Sequence, residues 1–111
     1  MDAKELRIGN NIEHNGIVCE VLSIDDEWLQ LDNDQLNTKI KDCKPIPITE
    51  EWLLKLGFKQ NGEWYEIGNF YIDSTNYQCG IENPKNIYNR LKKVDYVHHL
   101  QNLYYALMNK N

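Results

Sequence analysis

"NIEHNGIVCEVLSI", residues 11–24, decides how this chain is read. Ile12 stands on one side of Asn15-Gly16, and Ile17, Cys19 and Val21 follow on the other at a spacing of two. That spacing is the period of a half-buried strand. Asn-Gly supplies the positive φ angles that a two-residue hairpin turn needs. The stretch therefore predicts two antiparallel strands. Leu6 and Ile8 carry the alternation upstream, and Leu22 and Ile24 continue the second strand through a bulge where the register changes.

Outward from this hairpin the β-pattern persists. Asp25-Asp26-Glu27 reads as a turn, Trp28–Leu31 as a third strand, and Asp32-Asn33-Asp34 as another turn. Residues 38–48 suggest a fourth strand closed by Pro45 and Pro47. Four short strands with tight turns predict a small, strongly bent, SH3-like antiparallel sheet over residues 1–48. Thr49 then offers an N-cap, Glu50 and Glu51 suit a helix N-terminus, and Gly57 suits the position past its end. These signals bound a short middle helix over 49–57 with Trp52, Leu53 and Leu56 on one face. A second β-hairpin or meander is expected over 63–81, with strands at 64–67 and 70–73 and a third at 77–81. Ile87, Tyr88 and Leu91 fit a short strand or a helical turn equally well.

The final element is a C-terminal amphipathic helix over 94–108. At 100° steps, Tyr96, Val97, Leu100, Leu103, Tyr104, Leu107 and Met108 fall within about 140° of one another, a core-facing stripe. The same steps put His98 on the outer side with Asn102 and Tyr105, and His99 at the rim near Asp95. Neighbouring helical residues diverge by about 100°, so the two histidines are expected not to share a metal. The expected whole is one α+β domain, 1–111.

Charge is unevenly spread. Residues 1–52 hold 12 acids and 5 bases, and the rest of the chain holds 5 acids and 7 bases, for a net charge of −5. An acidic first half repels phosphate and suits a basic protein surface. Cys19, Cys43 and Cys79 are odd in number and lack a CxxC spacing, so reduced thiols in or near a core are expected. Residues 1–5 are charged with no apolar stretch behind them, and no run is long enough to span a bilayer, so a cytoplasmic protein with no membrane contact is expected. No catalytic or metal signature occurs, so neither enzyme nor cofactor is expected. "KNIYNRLKK", residues 85–93, is the basic cluster. Lys85, Arg90, Lys92 and Lys93 around Tyr88 are the candidate nucleic-acid contacts.

Three stretches, "ELRIGNNIEHNG", "PIPITEEWLLKLGF" and "YVHHLQNLYYAL", stand in this order. In order and spacing the chain resembles small uncharacterised phage and prophage proteins of Bacteroidetes-type bacteria. The resemblance spans most of the chain, is weakest between Gln60 and Leu91, and carries over no catalytic or binding residue. It implies a context in which small acidic proteins act by binding one host protein. The expectation is a non-enzymatic phage-encoded binding protein that inhibits or redirects a host protein. The expected partner is a nuclease or ribonucleoprotein effector of a bacterial defence system, in the manner of an anti-CRISPR inhibitor. The candidate contact residues are Asp25, Asp26, Glu27, Tyr88, His98 and Tyr105, with Tyr71 or Tyr77 as further aromatic anchors. The alternatives are a nucleic-acid-binding accessory module and a structural or assembly protein of the phage particle.

Overall fold

The computed structural model describes residues 1–33, 37–82 and 88–108. The protein is α+β, with two antiparallel sheets of five strands each. The chain divides into two compact units, one of Met1–Pro47 with the chain from Tyr96 onward, the other of Ile48–Asp95. The C-terminal helix thus belongs with the N-terminal strands.

In the first unit a 3₁₀ turn, Ala3–Glu5, precedes β1 (Asn11–His14), β2 (Ile17–Asp25), β3 (Trp28–Leu31), β4 (Thr38–Lys39) and β5 (Cys43–Lys44). The sheet order is β4-β3-β2-β1-β5. Asn15 and Gly16 have φ of 54° and 78°, the double positive of the turn expected from Asn-Gly. Strand β2 is nine residues long and shifts register between Val21 and Ser23. That bulge lets its first half pair with β1 and its second half with β3, which bends the sheet. The single fourth strand expected over 38–48 is instead β4, a 3₁₀ turn at Ile40–Asp42, and β5. The turn carries the chain from the β3 edge to the β1 edge, so β5 pairs with β1 at the edge of the bent sheet opposite β4. Leu6, Ile12, Cys19, Val21, Leu29, Leu31, Ile40 and Cys43 form the core inside it.

Helix α2 (Val97–Met108) starts three residues later than expected. Tyr96 forms a β-bridge with Pro47 and the Val97 N–H donates to the Ile46 carbonyl at 2.8 Å, so backbone pairing holds the approach to the helix extended. Its buried residues are Val97, His98, Leu100 and Gln101, which corrects the expected stripe. Leu103, Leu107 and Met108 are only half-buried. Polar side chains dock the helix instead. Gln101 Oε1 accepts from the Asn11 N–H at 2.9 Å, and Gln101 Nε2 donates to Asn11 Oδ1 at 2.8 Å. Asn102 donates to the Glu5 carbonyl at 2.7 Å and accepts from Asn10 Nδ2 at 2.8 Å. These pairs satisfy polar groups that apolar packing would strand.

In the second unit Thr49 caps α1 (Glu50–Lys55), its hydroxyl accepting from the Trp52 N–H at 3.2 Å. A meander follows: β6 (Lys59–Asn61), β7 (Trp64–Ile67), β8 (Phe70–Asp73), β9 (Gln78–Glu82) and β10 (Tyr88–Lys93), paired in sequence order. Leu53, Phe58, Tyr65, Phe70, Tyr71, Ile72 and Cys79 are among its buried residues, with Phe58 and Phe70 edge to face at 6.0 Å. Strand β6 was not expected from the sequence, and β10 was left ambiguous. Both are edge strands rich in polar and charged residues, so they show little apolar alternation, and such edges resist pairing with other chains.

Candidate functional site

Glu5, His98 and His99 meet in the first unit. Glu5 ends the first 3₁₀ turn, and the histidines sit in the first turn of α2. His98 Nε2 lies 3.0 Å and His99 Nε2 3.5 Å from the same oxygen, Glu5 Oε1. His98 is fully buried, whereas the side chains of His99 and Glu5 are 35% and 37% exposed. The two imidazole centroids are 4.2 Å apart. Tyr96 stacks on His98, 14° from coplanar, and meets His99 edge-on at 5.5 Å.

The expected outward placement of His98 is therefore corrected, as is the argument that the two histidines diverge. Helical side chains lean toward the helix N-terminus. In the first turn no preceding helical turn lies beneath them, so two long side chains 100° apart at Cα can bend toward one point. Burial pushes the Glu5 carboxyl up, but the His98 hydrogen bond, the charge that His98 and His99 carry when protonated and the N-terminal amine outweigh it and leave it below the ordinary value. At His98 burial wins over Glu5 and lowers the imidazole pKa, so the ring is neutral at neutral pH. A neutral ring gives Glu5 a hydrogen bond and no full charge, so the bond is the attraction that stands. Its Nε2–H donates to Glu5, and Nδ1 is buried without a hydrogen-bond partner among the described residues.

The acidic turn joins β2 to β3. Asp25, Asp26 and Glu27 are all exposed. Asp25 pairs across the hairpin with Trp28, which is 39% exposed, and Trp28 pairs with Lys39, whose ammonium lies 5.4 Å from the indole. Asp26 and Glu27 border a concavity of about 430 Å³ together with Asp2, Lys39 and Lys41.

In the second unit one face of the meander carries a row of cross-strand partners: Lys59, Glu66, Tyr71, Gly80 and Arg90. Gly80 leaves room for the Tyr71 ring, and Trp64 meets that ring edge-on at 5.0 Å. Trp64, Tyr71, Glu66, Glu82, Asn61 and Arg90 line a concavity of about 510 Å³.

The other expected residues are dispersed. Tyr105 is 55% exposed on α2. Tyr71 is buried, correcting its place among the outer aromatics, and Tyr77 is half-buried. Lys85 and the Tyr88 side chain lie outside what the structure describes. Arg90, Lys92 and Lys93 are exposed on the edge strand β10. Glu5 went unnoticed in the sequence because its partners lie more than ninety residues away. Trp28 and Trp64 stood next to turn signals, and that position was the available sign that they reach the surface. No helix among the described residues is long and apolar enough to cross a membrane. Comparison of the chain with protein-family models, with curated proteins and with solved structures finds no match in any of the three.

Proposed function

We propose that this chain is a non-enzymatic, phage-encoded binding protein that inhibits or redirects a host protein, in the class of anti-CRISPR-like inhibitors of an effector nuclease. The observation that supports this reading is the β2–β3 turn, where three exposed carboxylates flank a half-exposed tryptophan. Nucleases and ribonucleoproteins present basic channels to their substrates, and an acidic patch is steered toward them. Trp28 supplies the apolar anchor that charges alone lack. The alternative, nucleic-acid binding through Arg90, Lys92 and Lys93, has weaker support. Glu66 and Glu82 line the same concavity as Arg90, and their carboxylates repel phosphate.

The test is an affinity pull-down from host lysate, with and without nuclease treatment, using the natural chain and a variant carrying Asp25→Lys, Asp26→Lys and Glu27→Lys. The expected result is one host protein that survives nuclease treatment and is lost with the variant. Recovery of nucleic acid alone would overturn the reading in favour of the β10 bases. A partner held equally by the variant would remove the acidic turn from the interface.

A further inference from the structure

We propose that Glu5, His98 and His99 bind one divalent first-row transition-metal ion, with zinc the best-fitting species. This goes beyond the binding reading and does not depend on it. Among the described residues these three form a group of potential ligands whose donor atoms all lie within 4.8 Å of one another. Bonds of about 2.0–2.2 Å to one ion place neighbouring ligand atoms roughly 2.9–3.5 Å apart. The two separations in the structure, 3.0 and 3.5 Å from Glu5 Oε1, fall in that range. The two contacts to Glu5 Oε1 therefore already stand at the spacing that ligands of one shared ion take.

The donor set selects the class of ion. Two imidazole nitrogens and one carboxylate suit zinc and its neighbours, whereas calcium and magnesium take oxygen ligands. The site is also built for entry. His98 is fixed by burial and by the stacked Tyr96 ring, while His99 and Glu5 keep a third of their surface open to solvent. Three protein ligands with one open side leave a position for a water or for a donor from another molecule.

Hydrogen bonding alone accounts for the site less completely. It explains His98 against Glu5, but His99 Nε2 lies 3.5 Å from the same oxygen with the rings 4.2 Å apart. Two like groups crowded on one acceptor gain little from each other, whereas a shared cation satisfies all three. Binding at His98 Nε2 shifts the ring proton to Nδ1, which is buried without a hydrogen-bond partner among the described residues. The ion would tie the N-terminal turn to α2, two segments from opposite ends of the chain.

The experiment uses the untagged full chain, stripped with chelator, titrated calorimetrically with zinc and separately with magnesium and calcium. The expected result is one zinc per chain and no magnesium or calcium binding. His99→Ala and Glu5→Gln, both at partly exposed positions, should each weaken zinc binding at least about tenfold. His14→Ala should leave it unchanged. Nitrogen-detected imidazole spectra provide a readout without mutation: zinc should shift His98 and His99 and leave His14 in place. No zinc binding by the folded chain, an affinity unchanged in both variants, or zinc shifts confined to His14 would each overturn the proposal.

Discussion

His98 Nε2 lies 3.0 Å from Glu5 Oε1, across 93 positions of sequence. The bond joins the first turn of the chain to its last helix, and the histidine that makes it has no exposed surface. His98→Ala should remove both the bond and the packed ring, at a cost on the order of 2–4 kcal/mol. Urea unfolding of chelator-treated protein measures this. A loss under about 1 kcal/mol would mean that the helix docks without it.

Gln101 exchanges two hydrogen bonds with Asn11. Gln101→Ala should cost about 1–2 kcal/mol, because the Asn11 groups lose their partners in a half-buried position. A double-mutant cycle with Asn11→Ala should show coupling between the two. Tyr105→Ala, at an exposed site on the same helix, should stay within about 0.5 kcal/mol of the natural chain.

Gly80 faces Tyr71 across the second sheet, and a methyl group there would overlap the ring. Gly80→Ala should destabilise by about 1–3 kcal/mol as the ring is displaced from Trp64. In a Tyr71→Ala background the same change should be nearly neutral. Equal losses in both backgrounds would place the cost in the backbone instead of the ring.

Burial raises the thiol of Cys43 to about 11, with Cys19 and Asp42 adding to it, and raises Cys79 to about 12 against the pull of Lys92. A thiol pKa raised by folding means that the unfolded chain releases protons the folded chain keeps. Stability is therefore intact below the ordinary thiol value of 9 and falls as pH rises through about 11 to 12. Near neutral pH all three buried cysteines should resist a disulfide reagent in the native state and react in denaturant. Rapid labelling of any of them in the folded protein would contradict this burial.

Local chemistry made much of the fold legible. The Asn15-Gly16 turn, the bulged β2 and the capped α1 follow from residues within a few positions of each other. The edge strands β6 and β10 were hidden because edge strands facing water on one side need little apolar alternation. The candidate metal site was hidden for a related reason. A helical projection fixes where side chains leave the axis, but not where a long, polar side chain ends in a first turn. It put His98 and Asn102 on the outer side, and it gave Gln101 no role.

By itself the sequence determined the hairpins, the short capped helix, an amphipathic last helix and the acidic turn with Trp28 at its edge. Each depends on backbone angles or periodicity that neighbouring residues set. Only the tertiary structure decided that the last helix joins the first strands, that polar residues dock it, and that Glu5 meets two histidines. Those outcomes rest on pairing between residues ninety and more positions apart. A buried polar group is satisfied only when the partner arrives, and the fold brings it.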